Sequence, residues 1–160
     1  MEDFDAMWAS LEQRRKSLTD RILAMPPEQQ RAGTSKSFSP AEVLDHMALS
    51  EAWYLPMMDK ADRQTLKAKG AKVNFLYGMV VRKLRSAKSV PSMRDMTPKA
   101  DVKPEDGAEH WEKVRNDLRL RISAVGLDEP VFRHPLFGRM SPRHVMEIFD
   151  AHTDYHEKRL

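Results

Sequence analysis

The chain has no cysteine, which excludes both a disulfide framework and any thiolate metal site. A metal ion, if one is held, must rest on histidine nitrogen and on carboxylate or water oxygen. Long apolar runs are absent too: the longest, Phe75 to Val81, is far too short to span a bilayer. The first residues, Met1-Glu2-Asp3-Phe4-Asp5, are acidic where a secretory leader would be basic. The expectation is therefore a cytoplasmic protein, and its 160 residues suit one domain with one sizeable core.

What the chain does have is helical periodicity. Phe4, Trp8, Leu11, Leu18, Ile22 and Met25 recur at steps of three, four or seven and predict a first helix that stops at Pro26-Pro27. Ser39-Pro40-Ala41-Glu42 reads as a capping box with proline at the first helical position, so a second helix is expected from Pro40 to about Lys60. Trp111, Val114, Leu118, Ile122 and Val125 mark a third, from Ala108 to Val125, with Gly126 behind it. Ser141-Pro142 repeats the Ser-Pro start. Val145, Ile148, Phe149, His152, Tyr155 and His156 then form one face of a fourth helix.

Short connections join the first pair and the last pair, and a long crossover of about 60–104 separates them. The fold class expected is all-α, an up-down-down-up four-helix bundle. Residues 60–103 hold twelve Lys or Arg against three Asp, leaving the remainder of the chain net acidic although the whole carries +3. Within that crossover Val73, Leu76, Tyr77, Val80 and Leu84 make an apolar stripe, with Lys72, Arg82, Lys83 and Arg85 off it. A short basic amphipathic helix follows from this, packed on the bundle or on a second subunit. Residues 89–103 are expected to be an extended surface loop. The basic crossover has three uses open to it: pairing with the acidic bundle, attracting an anionic cosubstrate, or binding nucleic acid or acidic lipid. No established nucleic-acid motif accompanies it.

Of six histidines, His152 and His156 stand one turn apart on the last helix, so both imidazoles leave one face and can grip one ion if another helix supplies further ligands. With helices two and four antiparallel, the start of one lies beside the end of the other. His46 is seven residues after Ser39, about 10 Å along its helix, and can meet the pair there. The competing reading is a set of hydrogen-bonded core histidines. Thr153 and Asp154 follow His152, so the HExxH metalloprotease pattern fails. His110, His134 and His144 are expected to be surface or capping residues. Glu42 is one turn before His46 and could orient it, but capping explains it better. Tyr155 reads as core.

The stretches Phe38-Ser39-Pro40-Ala41-Glu42-Val43-Leu44-Asp45-His46 with Ser50-Glu51, and His134 to Pro142 leading into His152-Thr153-Asp154-Tyr155-His156, resemble the DinB/YfiT-like superfamily of four-helix-bundle metalloproteins. The resemblance implies a divalent metal such as zinc or nickel on His46, His152 and His156, and frequent homodimers. It also implies a small-molecule substrate, since characterised members include S-transferases and an isomerase that use thiols such as bacillithiol, mycothiol or glutathione. Three imidazoles leave a coordination position open, as a metal-dependent transferase or hydrolase needs. The alternative is a nonenzymatic metal-binding or interaction module working through the basic crossover. Members commonly carry glutamine where this chain has Arg159. Leu160 follows the last ligand within about one turn, so little further helix is expected to brace it.

Overall fold

The computed structural model describes residues 2–34, 37–88 and 94–160. The protein is mostly helical. Helix α1 spans Glu2–Leu23 and buries Phe4, Trp8, Leu11, Leu18 and Ile22, the stripe its spacing predicts. A single turn, α2 (Pro27–Gln30), follows the proline pair, and the Gln30 amide donates to the Ile22 and Leu23 carbonyls, satisfying acceptors that the end of α1 leaves free. Helix α3 (Pro40–Ala52) opens on the expected capping box: the Glu42 amide donates to Ser39 Oγ, and the Ser39 amide to the Glu42 carboxylate. Glu42 is thus a cap.

The second helix does not run unbroken to Lys60. It ends at Ala52, and a separate α4 (Leu55–Asp59) begins after a two-residue turn. Pro56 is the cause, because it has no N–H for the Ala52 carbonyl and its ring crowds that turn. Beyond it lie α5 (Arg63–Lys69), capped by Asp62, and α6 (Phe75–Arg85), capped by Asn74. The latter is the basic amphipathic helix, and its apolar side packs on the last helix through Tyr77, Val81 and Leu84. Of the basic crossover side chains, two form ion pairs among the described residues, Lys67 with Glu129 and Arg85 with Asp150. Self-pairing therefore accounts for little of the charge.

The loop expected over residues 89–103 is only partly described. Residues 89–93 lie outside the described residues, and 94–96 form one 3-10 turn rather than extended chain. Helix α7 (Pro104–Ile122) starts earlier than its apolar period suggests, since Pro104 at the first position and Glu105-Asp106 in the first turn are themselves start signals. The last helix, α8 (Pro142–Glu157), opens on Ser141.

A small antiparallel sheet was not legible in the pattern. Strands β1 (Lys72–Val73), β2 (Phe132–His134) and β3 (Gly138–Met140) lie in the order β1-β3-β2 and tie the crossover to the turn before α8. Gly138 has φ +98° and a Cβ there would come within 2.6 Å of the Lys72 carbonyl oxygen, so only glycine fits. Gly107 permits another close approach, because a Cβ would meet Leu44 Cβ at 3.0 Å.

Helix α3 packs along α7, and α1 and α6 pack on α8. Gly107 meets Leu44, and eight residues on Arg115 meets Glu51, so α3 and α7 run the same way. Between them Arg115 and Glu51 are both fully buried. The Arg115 Nε and Nη2 donate to the two Glu51 oxygens, Nη2 at 2.6 Å, while Nη1 reaches the Leu11 carbonyl at 3.3 Å and Glu12 at 3.1 Å. Its guanidinium also lies 5.3 Å from the Trp111 ring centroid. Burial works against the charge, yet Glu51 and Glu12 outweigh it and the Arg115 pKa stays above its ordinary value. Replacing Arg115 with Ala leaves the Glu51 carboxylate buried and unpaired and is expected to cost about 3–5 kcal/mol in urea unfolding. Exposed Arg119→Ala should cost about 0–1 kcal/mol, and equal costs would refute a structural role for the buried pair.

Candidate metal centre

Helix α3 presents His46 and α8 presents His152 and His156, and the ligand nitrogens of the three lie within 4.8 Å of one another. The His152 Nε2 is 3.3 Å from His46 Nε2 and 3.1 Å from His156 Nε2. An ion bound by imidazoles at 2.0–2.1 Å in tetrahedral geometry sets its nitrogens roughly 3.3 Å apart, so both spacings to His152 match such an ion, and three imidazole nitrogens are a donor set that suits it. His46 and His156 are buried, and His152 keeps part of its surface accessible.

One hydrogen bond decides how His46 can act. Its Nδ1 is 2.7 Å from the Met96 carbonyl oxygen, and since a carbonyl only accepts, Nδ1 carries the proton and Nε2 offers its lone pair to the cluster. Histidines that ligate metals are typically held this way. Met96 sits in the 3-10 turn of the crossover, which is fastened nearby through the Lys99 amide, 3.2 Å from Asp45 Oδ2. Phe38 packs its ring against His46 at 4.8 Å.

All three imidazoles are held neutral, the form that binds metal. Burial lowers the His46 pKa against the pull of the Met96 carbonyl and the Asp45 charge. Burial, then His46 and the Arg115 charge, bring His152 down to about 3. His156 falls well below the ordinary value through burial, with His152, His46 and Arg159 adding to it.

The end of α8 is braced from the side. Arg14 of α1 bonds Asp150 at 2.9 Å, Asp154 at 3.1 Å and Glu157 at 2.6 Å, and Lys158 reaches the Arg85 carbonyl at 2.7 Å. Leu160 packs against the apolar cluster around Leu18, Leu44 and Trp111. The ligand-bearing turn is therefore held by side-chain contacts to α1, α6 and the apolar cluster as well as by its own helix. Arg159 lies over the Tyr155 ring at 5.1 Å, and Tyr155 in turn flanks His156 at 4.9 Å.

The other histidines stay apart from the cluster. His144 closes the capping box of α8, its Nδ1 taking the Ser141 amide at 3.2 Å. His110 is inside α7, not at its start, and pairs with Asp45 at 3.1 Å. His134 is buried in β2, so a surface position is wrong for it. Its Nδ1 accepts the Leu136 and Phe137 amides at 3.1 and 3.2 Å and shapes the β2–β3 turn, while burial lowers its pKa to about 4. Two contributors to the site escaped the sequence reading. Met96 acts through a carbonyl that every residue has, which leaves no signal, whereas Arg115 shows as a cation in the apolar stripe between Trp111 and Leu118.

A family model for the DinB superfamily matches residues 3–158. With nearly the whole chain covered, and with three histidines that could hold a metal ion brought together, the protein belongs to the DinB superfamily. No curated protein and no solved structure matches the chain. No helix among the described residues is long and apolar enough to cross a membrane.

An acid dependence follows from the buried imidazoles. Unfolded, His152 takes a proton near 6.5; folded, it does so only near about 3. The unfolded chain therefore binds more protons, and stability is lost as pH falls from 6.5 towards 3, by up to about 1.4 kcal/mol per pH unit for each proton withheld. Metal-free protein is expected to unfold at lower urea concentration through that window, and His152→Gln should make the decline shallower. An unchanged slope in His152→Gln would show that His152 is not held neutral by the fold.

Proposed function

We propose that His46, His152 and His156 bind one divalent metal ion, zinc or nickel, at an open catalytic site. The observation that carries this is the convergence of three neutral imidazoles, with the His46 lone pair aimed inward by the Met96 carbonyl. When bound, the ion supplies Lewis acidity, which favours the conjugate base of a coordinated water or thiol. The chain's own share is to keep the ligands unprotonated, to fix the His46 tautomer, and to exclude water on the Phe38 side. The Arg115 charge opposes protonation of His152.

The substrate class is a small molecule, with a low-molecular-weight thiol as cosubstrate of an S-transferase, or water in a hydrolase. Family membership and the open three-histidine set support this class. We also read α1, α3, α7 and α8 as an up-down-down-up bundle. Supporting that order, Arg14 and Arg21 of α1 meet Asp150 and Glu157 of α8 in the same direction, while Arg115 and Arg119 of α7 meet Glu12 and Asp5 of α1 in opposite directions. A cytoplasmic location and a homodimer belong to the same proposal.

Metal analysis of the purified protein after loading and desalting is the test. The wild type is expected to retain about one ion per chain, and His152→Ala to lose affinity by about a hundredfold or more. Equal and negligible metal in both proteins would sink the proposal.

A further inference from the structure

The histidine cluster sits midway along α3, and a concentration of unpaired basic charge lies beyond the end of that helix. In the small sheet Lys72 stands directly opposite Arg139, and Arg139 directly opposite Arg133. Register partners share a face, with Cβ atoms roughly 5 Å apart, and like charges so placed repel. A Lys-Arg-Arg row therefore weakens the sheet that carries it. None of the three forms an ion pair among the described residues, where the crossover cations with carboxylate partners are Lys67 and Arg85.

Arg139 is held in place: Nε donates to the Gly70 carbonyl at 2.6 Å and Nη2 to the Lys69 carbonyl at 3.0 Å. Arg133 is exposed between Phe132 and His134, which point into the core. Both arginines line a cleft of about 450 Å³ between the sheet, α4 and α5, with Lys60 and Lys69 also on its wall and Met57 and Leu66 giving it apolar surface. That volume lies in the range of small-molecule sites. Asp62 is the acidic residue of the lining, and its carboxylate is already taken up by the Thr65 amide at 3.3 Å and hydroxyl at 2.6 Å. Four cations thus face a cleft that holds one carboxylate, turned to Thr65, so its walls carry a net positive charge.

We propose that this cleft binds a small organophosphate, its phosphate between Arg133 and Arg139 and its apolar part over Met57 and Leu66. A phosphate monoester brings up to two negative charges and three terminal oxygens, enough to accept from two guanidinium groups and an ammonium at once, which a carboxylate does not. The apolar surface and finite volume favour such a molecule over a nucleic-acid strand. Bound anion also relieves the repulsion along the sheet. The site is independent of the histidine cluster and stands whether or not metal binds there.

Calorimetric titration of the full chain with 1-naphthyl phosphate, inorganic phosphate and 1-naphthol tests it. Expected is saturable one-to-one binding of naphthyl phosphate, tighter than inorganic phosphate, weakened by added salt and about tenfold weaker in Arg133→Gln; naphthol should not saturate. His152→Ala should bind naphthyl phosphate as the wild type does, which separates this site from the metal centre. Unliganded Arg133→Gln should unfold at a temperature no lower than wild type, because the substitution removes a repulsion. Absence of saturable binding by either phosphate at low salt, or equal affinity in Arg133→Gln, would overturn the proposal. So would tight binding of a single-stranded oligonucleotide by a protein that ignores naphthyl phosphate.

Discussion

The buried Arg115–Glu51 pair is the interaction on which the rest of the molecule depends. It is a paired charge with no exposure, placed where α1, α3 and α7 meet and under the Phe149 ring of α8. A lone guanidinium there would be intolerable. With Glu51 bidentate, Glu12 and the Leu11 carbonyl as further acceptors, and aromatic faces around it, the charge is satisfied by groups from α1 and α3 together. The pair thereby fixes the register of α3 against α7, which in turn fixes where His46 stands.

The same burial shapes the histidine cluster. Two of its members come from one helix turn of α8 and the third from α3, so the cluster exists only when those helices are docked. Docking strips water from the imidazoles, and desolvation outweighs the carbonyl and carboxylate that would favour the protonated form. Arg115, in stabilising the core, adds a positive field that His152 feels. Structure and site chemistry are therefore coupled through one cation. Arg14, with three carboxylates of α8, holds the far end of the ligand helix and keeps both ligands on a rigid turn.

Much of this was readable from residue spacing. The Ser39 and Ser141 caps, the apolar stripes of α1, α7 and α8, and the His152–His156 pair rest on local physics that a sequence displays directly. The meeting of His46 with that pair was permitted by the connection lengths, and the resemblance in the Phe38–His46 and His152–His156 stretches named the three together. Other features were visible but overridden by a stronger pattern: Pro56 breaks the second helix although the apolar period continues past it, and Pro104 starts α7 before its stripe does. The sheet was not legible because strands of two and three residues are too short to show alternation. Nor was the Met96 contact, since a main-chain acceptor carries no residue signature and the pairing spans fifty positions. For His134, expected as a surface or capping residue, the surface half failed and the capping half held: the ring is buried and replaces water as acceptor for two turn amides.

What distinguishes a metal centre from three neighbouring core histidines is whether all three imidazoles bind the same ion. X-ray absorption of the zinc- or nickel-loaded protein reads this directly through the outer-shell scattering of the imidazole rings. Three histidines per metal, falling to two in His46→Ala, is the result expected from the geometry. A spectrum fitted by one imidazole or none, unchanged in His46→Ala, would contradict it.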